Sequence, residues 1–233
     1  MSSILRAKID NLSTFSYDSR VMRVILIHGF NANPQVNFHP WLRDELHALG
    51  FEVVAPELPL KPIVREAGDG VDPEVAEGID MPALMEAMKK EIGFLKNEDI
   101  LLGHSLGALA ILQYLEAVEM TETPRAVILV GAPWKVSRPE LRRLFVDDLD
   151  ADVLMWKARE YVVIHSQDDK LVPIEHGRKL ADQLRARMIE SATDDHYMGT
   201  HYPILKETIL EIAKTPFDYA PGMSLEDQYK NMK

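Results

Sequence analysis

The feature that most restricts the fold of this chain is a regular alternation of short apolar runs with segments of helical period. Six runs read as strands, at Val21–His28, Phe51–Ala55, Asp99–Gly103, Ala126–Gly131, Tyr161–Ser166 and Arg187–Ser191. Several, such as Val24-Ile25-Leu26-Ile27, are continuous in Val, Ile and Leu instead of alternating with polar residues. Strands of that kind are buried on both faces, as happens when helices cover both sides of a parallel sheet. Helical segments fall between them at Pro40–Leu49, Pro82–Leu95, Leu106–Ala117, Ile174–Leu184 and Pro203–Ala213, with Pro or a polar cap near several starts. The order is βαβα throughout. The expected fold class is therefore α/β, a three-layer αβα sandwich around a mostly parallel sheet of about six strands.

For 233 residues a single domain is expected, spanning 21–213 between an N-terminal extension (1–20) and a C-terminal tail (214–233). Besides the first 20 residues, two segments exceed what strand-to-helix connections need, Lys61–Asp80 and Trp134–Arg159. The second lies where a small cap over a site would sit, at 134–159. Its Trp134, Leu141, Leu144, Phe145, Leu149, Met155 and Trp156 suit either a lid or a surface for a protein partner of unknown kind. Met81, Met85 and Met88 repeat at helical spacing and read as a core-facing stripe.

Composition removes several functions. The chain carries 26 Lys and Arg against 37 Asp and Glu, a net charge of −11, and its basic residues cluster no further than pairs. That lacks the electrostatic footprint of phosphate-backbone binding, so no nucleic-acid partner is expected. With no cysteine, disulfides, zinc–thiolate sites and thiol nucleophiles are excluded. No run of about 18 apolar residues occurs, and no signal-like stretch precedes Val24, so no membrane association is expected and the expected location is cytoplasmic. There is neither a P-loop nor a G-x-G-x-x-G fingerprint. Asp194, Asp195, His196 and His201 lack H-E-x-x-H spacing, so neither a metal nor another cofactor is expected.

The strongest chemical signal is Gly103-His104-Ser105-Leu106-Gly107, placed between a strand and a helix. In that context the serine sits at the apex of a tight turn, its hydroxyl exposed above the sheet and close to the positive end of a helix. A serine needs a neighbouring base and an acid behind it, expected in the chain order Ser, acid, His. Of eight histidines, His196 and His201 fit that order, and His196 is favoured because His201 abuts the Pro203 that begins the last helix. Asp168 and Asp169, in the turn after the fifth strand, both qualify as the acid. Two backbone amides should hold an oxyanion, that of Leu106 and one from the His28-Gly29-Phe30-Asn31 turn, with Phe30 the first choice and Asn31 the second. Trp134 and Asn31 are expected to contact substrate.

Together, His28-Gly29-Phe30, Gly103-His104-Ser105-Leu106-Gly107, Asp168-Asp169-Lys170-Leu171-Val172-Pro173 and Asp195-His196-Tyr197 resemble the α/β-hydrolase superfamily. More narrowly, they resemble the small serine hydrolases grouped with retinoblastoma-binding protein 9 and its bacterial relatives. The likeness covers roughly residues 22–213, with Pro56-Glu57-Leu58-Pro59 and the Trp156 region also fitting. It implies Ser105, Asp169 and His196 as nucleophile, acid and base, and a small acyl compound, an ester first of all, as substrate. Where the family usually has Gly-His-Phe, this chain has Asp195-His196-Tyr197. Acyl transfer, peptide cleavage or a non-catalytic binding role on the same fold are the competing expectations.

Overall fold

A computed structural model of the protein describes residues 22–61, 80–136 and 149–215. The expected N-terminal extension, nearly all of the C-terminal tail and of the 61–80 segment, and residues 137–148 of the expected cap lie outside the described residues. Six strands form one sheet: β1 (Arg23–Ile27), β2 (Glu52–Val54), β3 (Ile100–His104), β4 (Ala126–Val130), β5 (Glu160–Ser166) and β6 (Arg187–Ser191). Their spatial order is β2-β1-β3-β4-β5-β6, and every pairing is parallel. The described helices are α1 (His39–Ala48), α2 (Met81–Ile92), α3 (Leu106–Ala117), α4 (Ala151–Leu154), α5 (Ile174–Leu184) and α6 (Pro203–Lys214).

The continuous apolar strands divide their side chains between two cores. Ile25, Ile27, Leu101, Val127, Leu129 and Val163 pack with α2, α3 and α5 on one face. Val24, Leu26, Leu102, Ile128, Val162 and Ile164 pack with α1 and α6 on the other. Both alternate sets are apolar because neither face meets water. On α2, Met88 is fully buried, and Met81 and Met85 pack partly buried against the same core. None of the described helices is long and apolar enough to cross a membrane.

Differences from the sequence reading are local. Helix α2 stops at Ile92, short of Leu95, because Gly93 adopts φ 65° and turns the chain out of the helix. α4 is a single turn inside the long connection after β4, begun by Asp150, whose side chain accepts from the amides of Asp152 and Val153. Four residues are too few to display a helical period.

Two contacts lock the middle of the sheet. At its N-terminal edge Arg23 makes a two-pronged pair with Asp99 and donates to the carbonyl of Ile92 at 2.8 Å, tying β1, β3 and α2 together. At the other edge α3 packs backbone against backbone. A Cβ on Gly107 would stand 2.3 Å from the carbonyl oxygen of His28, and one on Gly103 would stand 2.5 Å from the Cα of Ala108. Gly107→Ala must therefore push α3 away from the end of β1. We expect a loss of about 3 kcal/mol in urea unfolding; wild-type stability in this variant would show that the gap opens freely.

Candidate active site

Because the strands are parallel, the C-terminal ends of β1, β3, β4, β5 and β6 lie along one edge, the edge at which open α/β sheets present their sites. Ser105 occupies the β3–α3 turn at φ 54° and ψ −125°, backbone angles that a non-glycine residue adopts only under constraint. The constraint is visible. Its amide donates to the carbonyl of Val130 at 2.8 Å, and its carbonyl accepts from the amide of Ala108 at 3.0 Å.

The loop after β6 brings His196 over this turn. Its Nε2 lies 2.9 Å from Ser105 Oγ, and its Nδ1 lies 2.7 Å from Asp169 Oδ2. Asp169 is buried in the turn after β5, and its Oδ1 accepts the amides of Leu171 and Val172 at 2.9 and 2.8 Å. Burial alone would raise its pKa, but the side chains of His165 and His196 and the Val172 amide outweigh that and hold it well below the usual carboxylate range. Asp169 is thus ionised at neutral pH. Its stabilising contribution is complete above the unfolded value and is lost only as pH falls through the lower folded one. With Oδ2 accepting Nδ1–H, His196 presents Nε2 to the serine.

The second aspartate also reaches the histidine loop, by a different route. Asp168 Oδ1 accepts the Ser166 hydroxyl at 2.6 Å and the Asp195 amide at 2.8 Å, while Ser166 Oγ accepts the Asp194 amide at 2.9 Å. Asp169 meets the imidazole; Asp168 and Ser166 meet the backbone beside it. The Asp195-His196-Tyr197 departure is accommodated here. Asp195 lies at φ 47°, a conformation glycine takes freely and aspartate tolerates, and Tyr197 lies at φ 56°. The buried Tyr197 is held by a hydrogen bond between its hydroxyl and that of Ser191 at 2.8 Å.

Two further histidines brace the site. His104 donates Nε2–H to the carbonyl of His196 at 2.8 Å. Burial and then the neighbouring His196 lower its pKa to about 3, so it stays neutral. His28, also kept neutral by burial, donates Nδ1–H to the Gly29 carbonyl and accepts the Leu58 amide at Nε2, both near 3 Å. Sequence reading passed over His104 and His28 because both precede the serine and only their supporting contacts give them a role. By contrast His201 is exposed, its ring 5.0 Å from that of Trp41 and its Nδ1 bonded to Thr200 Oγ1.

The turn after β1 runs beside Ser105, so close that a Cβ on Gly29 would touch the serine Cβ at 3.3 Å. The amides of Phe30 and Leu106 have no partner among the described residues. The amide of Asn31 donates to the Leu60 carbonyl at 2.6 Å and is not available to an oxyanion.

These groups open onto a cavity of about 230 Å³, lined by Phe30, Leu106, Leu171 and Met198 among others. Two residues expected to contact substrate are not in its wall. Asn31 is exposed, its amide tied to Leu60. Trp134 packs partly buried against the α2/α3/α5 core with Lys179 Nζ 5.6 Å from its ring centre, and its neighbours Pro133, Lys135 and Val136 take the wall instead.

The all-parallel six-stranded sheet and its flanking helices are those of an α/β-hydrolase fold. Residues 71–200 match a family profile described as serine hydrolase, and the chain belongs to that family. It is 28% identical over 194 residues to YdeN of Bacillus subtilis (strain 168), covering 80% of this chain and 94% of that protein. The crystal structure of the B. subtilis ydeN product aligns with TM-score 0.70 at 25% identity, over 82% of this chain and 98% of the other. The esterase RhEst1 from Rhodococcus sp. ECU1013 shares the fold at TM-score 0.60 and 17% identity, over 84% and 92% of the two chains.

The two aspartates should separate by NMR. We expect Asp169→Asn to abolish the downfield Nδ1–H resonance of His196. Asp168→Ala should keep that resonance while accelerating amide exchange at Asp194 and Asp195. The reverse pattern would exchange their assignments.

Proposed function

We propose that the protein is a cofactor-independent serine hydrolase that cleaves a small carboxylic ester through an acyl-enzyme on Ser105. The observation that carries this reading is the continuous chain from Ser105 Oγ through His196 to Asp169, at 2.9 and 2.7 Å. Ser105 Oγ attacks the acyl carbonyl as His196 Nε2 takes its proton, and Asp169 orients the ring and stabilises the imidazolium. The carbonyl oxygen, now an anion, accepts the amides of Leu106 and Phe30, each donor lowering the barrier by about 2.7–4 kcal/mol in comparable sites. Collapse breaks the bond to the alcohol, which leaves with the proton from His196. Water, deprotonated by His196, then adds to the acyl-enzyme, and collapse returns the proton to Ser105 and releases the acid.

The cavity volume, below the roughly 300–1,000 Å³ usual for drug-sized ligands, favours a short substrate. Within the serine hydrolases, the His28-Gly29-Phe30 turn and the Asp168-Asp169 pair support placement beside the retinoblastoma-binding protein 9 group.

A fluorophosphonate probe should label the pure protein at Ser105 alone, as mapped by peptide mass spectrometry. Ser105→Ala should abolish labelling and lower kcat on the best ester of a graded series by about 10⁴–10⁶. A folded wild-type protein that neither labels nor turns over any ester would sink the reading. His196→Ala should match Ser105→Ala in loss of activity, whereas the exposed His201→Ala should stay within about tenfold of wild type. Full activity in His196→Ala would remove it as the base.

A further inference from the structure

Two polar groups on the cavity wall take no part in the chemistry just described. Lys135 lies beyond β4, and His176 lies in the first turn of α5. The Trp134 amide donates to His176 Nδ1 at 3.0 Å, which leaves the proton of the neutral ring on Nε2. Burial, reinforced by His165 and Lys135, lowers the His176 pKa and keeps the ring in that neutral form. Its Nε2 has no partner among the described residues, and Lys135, exposed, makes no ion pair among them.

The cavity's charge runs against that of the chain. The protein carries a net −11, yet among the described residues no carboxylate lines this cavity and Lys135 is the one lining residue with a permanently charged side chain. The adjoining wall is apolar, from Pro133, Val136, Leu171 and Met198. One cation and one fixed N–H donor, set in an apolar wall and lacking partners, form a receptor for a single anionic group with two oxygens. Resting on the hydrolase reading above, we infer that the substrate is a short ester bearing a second, ionised carboxylate, which Lys135 Nζ and His176 Nε2–H bind while Ser105 attacks the ester.

The test compares charged esters with uncharged partners of the same shape. Monoethyl succinate against ethyl 4-methylpentanoate places the carboxylate on the acyl side; acetoxyacetate against isobutyl acetate places it on the alcohol side. Wild-type kcat/KM should favour the charged member of at least one pair by about tenfold to a hundredfold. That ratio should fall toward one in Lys135→Met and in His176→Asn. In the latter the asparagine Oδ1 can still accept the Trp134 amide while the Nε2–H donor is gone, so an unchanged Tm with a reduced ratio separates binding from a merely structural role. Ser105-dependent hydrolysis of both pairs without preference, or a preference that survives Lys135→Met, overturns the proposal. Calorimetric titration of the Ser105→Ala protein with monoethyl succinate and its uncharged partner reads the subsite without turnover. Selective binding that disappears in the Lys135→Met double variant supports it even if no ester is cleaved, in which case only the hydrolase reading fails. The absence of selective binding overturns the subsite and leaves the hydrolase reading untouched.

Discussion

The absence of two side chains, at Gly103 and Gly107, sets how near α3 can come to the sheet, and the geometry around Ser105 depends on that approach. With 2.3 Å between a would-be Cβ and the His28 carbonyl, the first turn of α3 rests directly on the end of β1. The chain must then leave β3 and enter α3 within one residue. That residue is Ser105, pinned by Val130 on one side and Ala108 on the other, so its positive φ is maintained by the surrounding packing. The same contact delivers the rest of the serine's surroundings. It places the Leu106 amide at a helix start, where no intrahelical acceptor exists, and holds the Gly29-Phe30 turn alongside.

Buried carboxylates stand at both edges of the sheet, and their partners differ in a way that matters. At the N-terminal edge Asp99 faces Arg23, a cation that never gives up its proton, and the result is a fixed brace between β1, β3 and α2. At the C-terminal edge Asp169 commits one oxygen to backbone amides and reserves the other for His196. The amides offset desolvation of the carboxylate whatever the imidazole's charge. The buried carboxylate therefore does not depend on its hydrogen bond to His196 alone.

The sheet was legible because runs such as Val24-Ile25-Leu26-Ile27 admit few environments other than a doubly covered parallel strand. The serine turn was legible for a related reason: glycines on both sides of a Ser, between a strand and a helix, encode the close packing itself. Between Asp168 and Asp169, the resemblance favours Asp169 where the local pattern lets both qualify; their hydrogen bonds differ, Asp169 meeting the imidazole and Asp168 the backbone. His201 was set aside for its nearness to Pro203, but the contact that occupies it comes from Trp41 on α1, a packing relation no local pattern contains. Trp134 is a similar case. Its indole packs on the core and under Lys179, from a helix forty residues further along, and the cavity-facing positions pass to its neighbours.

The strand ends divide the labour by what each can expose. β1 and β3 contribute backbone amides beside the serine, while β5 and β6 contribute the ionisable side chains behind it. The end of β4 has to be bare first: a Cβ on Gly131 would press on His196 Nδ1 at 3.3 Å, and its φ of 54° turns the chain outward. Three residues later the same connection, at Trp134-Lys135-Val136, supplies the amide that fixes the His176 tautomer, a cation and part of the apolar wall. Lys135 and His176 make no hydrogen bond to Ser105, His196 or Asp169. Substitutions there leave the hydrogen-bonded chain from Ser105 to Asp169 in place. Substitutions at Gly131 press on the His196 ring of that chain directly, although that residue has no side chain of its own.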